Sequence, residues 1–313
     1  MTTAATNNMQ MIFLGTSSAA PTPERGLSSI AIMRNGELLL FDAGEGMQRN
    51  FIKSGLGMNR KMKVFITHMH ADHCVGLLGL LQTMSLQGRE RKLDVYGEPR
   101  LKEFLLENMR IINFGLTFEV AIHTIEGEGV IAEESGYRVS CCEASHSVPA
   151  FSYRLDEFDR PGTFNIGLVR EMGIPEGELY GRLQHGQDIE YNGKVIRSAD
   201  IVGPPRPGRR IGISGDTRPT DKLTAFFSGC DVLVFESTYS QEKLAKALET
   251  MHSTATEAAT VAKQAGVKKL FLTHFSARYD ETTSLVQEAS AIHADVEAAE
   301  DMKHVDIPFP SSP

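Results

Sequence analysis

Thr67-His68-Met69-His70-Ala71-Asp72-His73 is the most informative segment of the sequence, because it places three histidines and one aspartate within six consecutive positions. Residues 63–67 before it are rich in β-branched and aromatic side chains and predict a short buried strand, and the apolar residues 75–86 predict a helix. Imidazole nitrogens and carboxylate oxygens are ligands that suit zinc, and manganese and iron accept the same atoms. Histidines that merely cap the next helix are the simpler interpretation, but so dense a set of ligands favours a metal site.

The spacing within this stretch is compatible with two cations. His68 and His70 alternate and can face the same way, while Asp72 and His73 can turn toward a second ion. Two ions about 3.5–4 Å apart form the usual clamp for cleaving a phosphate ester. Four residues cannot complete two metal sites, so further ligands are expected elsewhere in the chain.

Length and composition limit the class of protein. A chain of 313 residues with 41% hydrophobic content can form one large domain or two ordinary ones. The 40 acidic and 32 basic residues give a net charge of −8, which argues against a generally basic nucleic-acid binder but not against a local positive site made by bound cations. The four cysteines form no CxxC motif and are expected to be buried thiols in a reducing compartment. Residues 1–8 lack the features of a signal peptide and no apolar run is long enough to span a membrane, so we expect a cytoplasmic protein.

The order of predicted elements indicates an α/β fold in which two sheets pack face to face with helices outside. Asn35-Gly36 predicts a tight hairpin turn, and Asp42 is expected either to cap the following helix or to orient a metal-bound histidine. The predicted strands cover residues 9–14, 30–33, 38–41, 63–67, 93–96, 118–125, 137–144, 151–155, 210–214, 232–235 and 270–273, and the predicted helices cover residues 48–54, 75–86, 99–109, 166–172, 254–265 and 282–296.

The segment 156–190 differs from the rest of the chain in composition and periodicity. It contains two prolines and six glycines and shows little periodicity beyond one short helix, which predicts an excursion out of the globule. A surface loop without function explains the segment equally well. The expected organisation is therefore a single domain over residues 1–313 with an inserted arm at about 156–190 and tails at 1–8 and 307–313.

Ligand-type side chains recur where predicted strands end. Asp216 is the natural bridge between two ions because a carboxylate has two oxygens. Two further residues, His252 and Glu236, form a histidine–carboxylate pair suited to proton transfer. The predicted ligands are His68, His70, Asp72, His73, His146, Asp216 and His274.

Several motifs in this order resemble one known family. The H-x-H-x-D-H cluster followed by a separated His, Asp and His is similar to the metallo-β-lactamase superfamily, and within it the chain resembles ribonuclease Z, the endonuclease that trims the 3′ end of precursor tRNA. The motifs that carry the resemblance are F-L-G-T-S at 13–17, F-D-A-G-E-G at 41–46, T-H-x-H-x-D-H from Thr67, S-H-S at 145–147, S-G-D-T-R at 214–218, F-E-S-T at 235–238, H-S-T-A at 252–255 and T-H-F-S-A-R-Y at 273–279.

The resemblance implies an αββα sandwich with two Zn²⁺ ions per subunit, for which Mn²⁺ can substitute. It implies that His68, His70 and His146 hold one ion, that Asp72, His73 and His274 hold the other, and that Asp216 bridges them. Asp72 would accept a proton from the attacking water. His252, held by Glu236, would stabilise the phosphoryl oxygens and protonate the leaving 3′ oxygen, giving a tRNA 3′-hydroxyl and a trailer 5′-phosphate.

The resemblance also gives the 156–190 segment a function. In ribonuclease Z an arm leaves the globule there, grips the tRNA elbow and typically reaches across a homodimer. This arm departs from the family in being more acidic than basic, with eight carboxylates between Asp156 and Glu190. The expected substrate-binding residues are Thr16, Ser17, Arg160, Gly177, Gly181, Arg182, Ser276 and Arg278.

Two alternatives remain open on the sequence. One is another metallo-β-lactamase-fold phosphodiesterase, or an arylsulfatase-like hydrolase, acting on small substrates with the same metal site. The other is a metal-binding scaffold that holds RNA without cutting it. His252 and Glu236 count against the scaffold, since a scaffold has no need for a proton donor.

Overall fold

A computed structural model describes residues 9–310, and the predicted tail at residues 1–8 and the last residues, 311–313, lie outside this range. The chain divides into two compact units, which are described separately. The larger unit comprises the described residues as far as Asp156 together with Arg210–Pro308, and the smaller unit comprises Glu157–Arg209 with the described residues from Phe309 onward.

The strands of the described part of the chain are short and most are buried. In chain order they are β1 Met9–Gly15, β2 Ser17–Ser18, β3 Ser29–Arg34, β4 Glu37–Phe41, β5 Met62–Phe65, β6 Leu93–Gly97, β7 Val120–Thr124, β8 Gly129–Glu134, β9 Tyr137–Glu143, β10 Phe151–Glu157, β11 Ile189–Tyr191, β12 Lys194–Ile196, β13 Arg210–Ile213, β14 Val232–Glu236, β15 Lys269–Thr273, β16 Phe275–Ser276, β17 Val296–Ala298 and β18 His304–Asp306.

The helices of the same residues alternate with these strands. They are α1 Met47–Lys53, α2 Ala71–Cys74, α3 Gly76–Leu86, α4 Pro99–Ile111, α5 Ile166–Glu171, α6 Glu178–Gln184, α7 Ser198–Ile201, α8 Asp221–Phe226, α9 Leu244–Thr250, α10 Ala255–Gln264 and α11 Thr283–Ser290. None of the described helices is both long enough and apolar enough to cross a lipid bilayer.

The larger unit contains two mixed seven-stranded sheets. The first has the order β18-β1-β3-β4-β5-β6-β7, and the second has the order β17-β15-β14-β13-β10-β9-β8. Within each sheet one part is antiparallel, as in the β3–β4 hairpin around Asn35 and Gly36, and the other part is parallel, as in β4–β5–β6 and β13–β14–β15. Parallel strands that follow one another in sequence need helical crossovers, which explains why the helices lie between these strands.

Aromatic and aliphatic side chains from both sheets form the central core of the larger unit. The ring of Phe13 on β1 lies 5.4 Å from that of Phe271 on β15, and Phe65 on β5 lies 5.7 Å from Tyr153 on β10. Each such side chain contributes about 1.5–3 kcal/mol when it is fully removed from water. The two sheets therefore pack face to face.

Two further apolar clusters cover the outer faces of the sheets. Residues of α1, α3 and α4 pack on the first sheet, and residues of α8, α10 and α11 pack on the second. The result is the four-layered αββα sandwich, so the predicted fold class is confirmed. All four cysteines are buried free thiols, as predicted.

The smaller unit has a core of its own. Helices α5, α6 and α7 and the β11–β12 hairpin enclose five buried side chains: Val169, Ile174, Leu183, Ile189 and Ile201. At its chain ends, Arg209 donates to the carboxylate of Glu157 at 2.6 and 3.0 Å, and both residues are buried. The sequence predicted an inserted segment at about 156–190, whereas the unit runs from Glu157 to Arg209. Its apolar residues are too widely spaced along the chain to show periodicity, but they come together in the folded unit.

Some predicted elements differ from those observed. The helix predicted to continue to residue 296 ends at Ser290, and the chain then forms the edge strand β17. The strand β8 was not predicted, because its apolar run is only three residues long and is flanked by glycine and glutamate; it forms a hairpin with β9. Ile307, which the sequence placed in a tail, is buried and donates its amide to the carbonyl of Met9.

Candidate metal centre

The histidine-rich loop begins where β5 ends, and the other predicted ligands follow strands of the second sheet. His146 lies in the connection between β9 and β10, Asp216 follows β13, and His274 follows β15. The backbone of His68 pairs with that of Ala150, which draws the two loops together. The structure thus brings all seven predicted ligand residues to one end of the sandwich.

The first group of ligand atoms consists of His68 Nε2, His70 Nδ1, His146 Nε2 and one oxygen of Asp216. His70 Nδ1 and His146 Nε2 are 3.2 Å apart, and Asp216 Oδ2 lies 3.6 Å from His68 Nε2 and 4.0 Å from His146 Nε2. Ligand atoms of these four residues all lie within 4.8 Å of one another. Three imidazoles and a carboxylate converging on one point are a typical zinc donor set.

The second group shares Asp216 with the first. Nε2 of His73 and Nε2 of His274 each lie 3.3 Å from Asp216 Oδ1 and 3.2 Å from each other. Asp72 Oδ2 lies 3.6 Å from the His73 nitrogen and 3.5 Å from the His274 nitrogen. The two oxygens of Asp216 therefore face different ligand groups, which is the arrangement expected of a bridging carboxylate.

Two of the converging ligand atoms lack a hydrogen-bond partner and are suited to bind a cation. His68 Nε2 and Asp216 Oδ1 are buried polar atoms without a hydrogen-bond partner, a state that costs folding free energy unless another group satisfies them. Burial, together with the neighbouring His73, holds the pKa of His68 well below its usual value, so its ring is in the neutral form that binds metal. Two cations would satisfy the unpaired atoms and neutralise the carboxylates.

Contacts behind the ligands fix their orientation. The Asp42 carboxylate accepts from His73 Nδ1 at 2.7 Å, from the Thr67 amide at 2.7 Å and from the Thr67 hydroxyl at 2.9 Å. His146 Nδ1 donates to the Met251 carbonyl at 2.9 Å. The contacts of His73 and His146 each place a proton on Nδ1 and leave Nε2 free to bind a cation.

Asp42 does not cap a helix, so that alternative is wrong. Helix α1 starts after Gly46, whose positive φ of 76° turns the chain, and no side chain caps it. Asp42 itself has a left-handed backbone, with φ 59°, as does His274, with φ 60°. Non-glycine residues in this conformation are held there by their surroundings and concentrate at functional sites.

His252 and Glu236 lie beside the second ligand group. His252 Nδ1 is 3.0 Å from Glu236 Oε1, and the His252 ring stacks on that of His274 at 5.3 Å. Burial disfavours the imidazolium, but the charge of Glu236 and its hydrogen bond prevail and raise the pKa of His252 to about 9. His252 is therefore a protonated, partly exposed side chain at the edge of the centre.

Glu236 also connects this pair to the ligands. It accepts from the amides of Thr217 and Ser253 at 2.8 and 3.0 Å and from the Thr238 hydroxyl at 2.6 Å. The Thr238 hydroxyl oxygen lies 2.9 Å from His274 Nδ1. The sequence analysis did not assign Thr238 a role, although it lies in the F-E-S-T motif, because nothing in the sequence shows that its hydroxyl reaches His274.

The predicted substrate-binding residues have different environments. Ser276 and Arg278 lie near His252: Arg278 donates to Ser276 Oγ at 3.0 Å and stacks on Tyr239, whose ring contacts that of His252. Thr16 and Ser17 are buried and their hydroxyls donate to Asp301 and to the Ala20 carbonyl, so burial counts against a substrate contact through either side chain. Arg160, Gly177, Gly181 and Arg182 belong to the smaller unit.

Within the smaller unit, these four residues again differ in exposure. The half-buried Arg160 stacks on the ring of Phe309, and its guanidinium carbon lies 3.3 Å from the ring centroid. Gly177 precedes α6 with a φ of 134°, and the exposed Arg182 lies in the last turn of that helix. Their contribution to substrate binding stays a prediction.

Comparison with known proteins agrees with this geometry. Residues 9–153 match the model of the anti-Pycsar protein Apyc1, and residues 193–275 match that of the β-lactamase superfamily domain. A ribonuclease Z of Nitrosopumilus maritimus is 51% identical over 96% of this chain and 100% of its own length. A ribonuclease Z of Myxococcus xanthus is 41% identical over 96% of this chain and 98% of its own. The chain belongs to the ribonuclease Z family.

The fold of this ribonuclease Z-family protein also agrees with a solved structure. The short form of human tRNase Z superposes with a TM-score of 0.71 at 28% identity, over 96% of this chain and 100% of the human one. The family membership predicted from the sequence motifs is confirmed. The protein is a metallo-β-lactamase-fold endonuclease.

Proposed function

We propose that this chain is a zinc-dependent endoribonuclease that removes the 3′ trailer of precursor tRNA and leaves a 3′-hydroxyl on the tRNA and a 5′-phosphate on the trailer. The observation that carries the proposal is the pair of ligand groups on either side of Asp216, with the hydrogen-bonded His252–Glu236 pair beside them. The relatives named ribonuclease Z and tRNase Z support the same substrate class.

The two ligand groups would hold two Zn²⁺ ions, with Mn²⁺ as a substitute. His68, His70 and His146 belong to one ion, Asp72, His73 and His274 to the other, and Asp216 to both. When bound, such ions polarise the scissile phosphate and lower the pKa of a water molecule toward about 7. The remaining chemistry depends on side chains of the chain.

Asp72 would accept the proton of the attacking water. Its Oδ2 already accepts from the Ala19 amide at 2.7 Å, which fixes the orientation of the carboxylate. Burial opposes the anion, but the hydrogen bond from His274 and the charge of His73 hold the pKa of Asp72 well below its usual value. The carboxylate is thus ionised and positioned before substrate arrives.

His252 would protonate the leaving oxygen. The P–O3′ bond breaks toward the tRNA, and a proton on the departing oxygen avoids the formation of a free alkoxide. Glu236 holds His252 through Nδ1, so the Nε2 proton is the one transferred, and the raised pKa keeps that proton in place at neutral pH. Arg278, stacked on Tyr239 next to His252, would bind a neighbouring phosphate.

The smaller unit would bind the tRNA elbow as an arm, and the active enzyme would be a cytoplasmic homodimer. The exposed Arg182 offers a charged group for phosphate, and Gly177, which has no side chain, lets a substrate approach the backbone before α6 closely. Because the arm is acidic overall, binding would rest on backbone donors and a few arginines and would depend only weakly on salt concentration.

A single experiment tests the proposal. Purified protein is stripped of metal, reloaded with Zn²⁺ or Mn²⁺, and incubated with a precursor tRNA. The 5′ end of the released trailer is then analysed to locate the cut and to identify its terminal group. One cut near the discriminator base is expected, with a 5′-phosphate on the trailer. Asp216→Ala should abolish cleavage, whereas His304→Ala, which alters an exposed histidine on β18, should not. Cleavage by Asp216→Ala at the normal rate would refute the assigned site.

A further inference from the structure

Arg218 connects the two loops that flank the proposed reaction centre. It follows the bridging Asp216 by two residues, and its backbone amide donates to the carbonyl of Ser145, next to the ligand His146, at 2.8 Å. Its guanidinium reaches in the other direction and donates to the carbonyl oxygen of His252. One residue thus contacts both the ligand loop and the loop that carries the proton donor.

The same guanidinium makes a two-pronged ion pair with Glu257 on the first turn of α10. One nitrogen donates at 2.8 Å and the other makes a second, short contact. The side chains of Arg218 and Glu257 are only 14% and 21% exposed, so solvent screens the pair weakly. A bidentate arginine–carboxylate pair fixes orientation as well as distance.

Glu257 is itself fixed to the backbone beside His252. Its carboxylate accepts from the Thr254 amide at 2.9 Å, and the Thr254 hydroxyl accepts from the Glu257 amide at 3.2 Å, which is a capping box at the start of α10. The turn at residues 252–254 is therefore held by Arg218 through the His252 carbonyl and by Glu257 through Thr254. His252 is held at its ring by Glu236, and its backbone is held by the Arg218–Glu257 pair and by its own amide, which donates to the Ala247 carbonyl at 2.9 Å.

We propose that Arg218 and Glu257 are positioning residues that hold the His252 backbone so that its ring reaches the leaving 3′ oxygen. This inference rests on the proposed function of His252 as the proton donor. In that step the water oxygen forms a bond to phosphorus as one of its protons passes to Asp72, the P–O3′ bond breaks with its electron pair moving to O3′, and the His252 proton passes to that oxygen. Neither Arg218 nor Glu257 touches the reacting atoms.

The side chain of Arg218 can be removed without loss of its ligand-loop contact, since that contact uses the backbone amide. Arg218→Ala should therefore keep its metal content while its proton donor loses one anchor. General acid catalysis contributes roughly 10²–10⁴-fold, so partial misplacement of the donor should slow single-turnover cleavage by about 10–100-fold. Glu257→Gln keeps one oxygen for the Thr254 amide and one Arg218 nitrogen, but it removes the charge and replaces the second acceptor of Arg218 with an NH₂ group, so it should show a loss of the same kind.

The decisive test changes the leaving group. A precursor tRNA with sulfur in place of the bridging 3′ oxygen has a leaving thiolate that needs no proton. On this substrate His252→Ala, Arg218→Ala and Glu257→Gln should all cleave at nearly the rate of the unaltered protein, although all three are slow on the ordinary substrate. Arg110→Ala, which breaks an exposed arginine–glutamate pair on α4, is the matched control and should be normal on both substrates.

The outcomes distinguish failure of the positioning role of Arg218 and Glu257 from failure of the proton-donor role of His252. If His252→Ala is rescued by the sulfur substrate but Arg218→Ala and Glu257→Gln are equally slow on both substrates, the pair is merely structural and the inference is overturned. If the two variants cleave the ordinary substrate at full rate, the inference is also overturned. If His252→Ala itself is not rescued, the proton donor of the proposed function is wrong. Metal content and thermal unfolding, measured on each variant, detect misfolding, and Glu257→Gln carries the test should Arg218→Ala fail to fold.

Discussion

Asp42→Asn is the change that most sharply tests how the chain prepares its ligands. In the folded protein one oxygen of Asp42 accepts from the Thr67 amide, and the other accepts from the Thr67 hydroxyl and from His73 Nδ1. An asparagine can still accept from the Thr67 amide, so the loop keeps one of its anchors. Its NH₂ group, however, would face Nδ1 of His73 and could only donate to it.

The expected effect follows from the tautomer. A histidine that accepts a hydrogen bond at Nδ1 carries its proton on Nε2, the atom that lies 3.3 Å from Asp216 and is needed as a ligand. Loss of such an orienting contact typically lowers metal affinity by about 10–100-fold, which corresponds to about 1.4–2.8 kcal/mol. Only the ion held by Asp72, His73 and His274 should be affected.

Zinc affinity is measured by competition with a chromophoric chelator, which resolves a strong and a weakened site in the variant. Asp94→Asn is the matched control, because Asp94 holds His123 through a similar contact of 2.8 Å on strands β6 and β7, away from the ligands. Asp94→Asn should leave both affinities unchanged. Two unweakened zinc sites in Asp42→Asn would refute the role of Asp42 in orienting His73.

Three further predictions concern pH, stability and metal removal. Because the pKa of His252 is raised to about 9, its proton is present below that pH and is lost above it, so kcat should fall at alkaline pH. Glu236→Gln removes the negative charge that raises this pKa, and in a pH–rate profile the fall in kcat should move to lower pH. Lys63→Met should lower the free energy of unfolding in urea by about 3 kcal/mol, the low end for breaking a buried pair, because Lys61 remains to pair with Glu37 and Glu134. Chelation should lower the melting temperature, because cations that bind only the folded ligand set stabilise it; an unchanged melting temperature would contradict this.

Much of the architecture could be predicted because apolar runs were bounded by turn residues. The β3–β4 hairpin and strands β5, β13, β14 and β15 were found with their ends correct to within a residue or two. The ligands were found for the same reason, since polar and acidic side chains at the ends of buried strands stand out from their surroundings. Local patterns of this kind are visible in sequence because they depend on neighbours along the chain.

Features that depend on distant partners could not be predicted in this way. The sequence left Asp42 between a helix cap and a contact to a metal-bound histidine, and only the distance to His73 decides. The core of the smaller unit escaped notice because Val169, Leu183 and Ile201 are far apart in the chain. Arg218 lies in the S-G-D-T-R motif, but its pairing with Glu257 could not be predicted, because an ion pair between residues of separate elements has no fixed spacing.

The division of ligands between the two sheets has a consequence for biosynthesis. His68, His70, Asp72 and His73 all leave the ribosome before Asp216, the carboxylate that would be shared, and His274 is the last of the seven to be made. A nascent chain that has made only the first sheet would therefore hold an incomplete ligand set. For the proposed two-ion centre, full coordination would be possible only after β13, β14 and β15 have joined the second sheet, so selection of the metal would come late in folding.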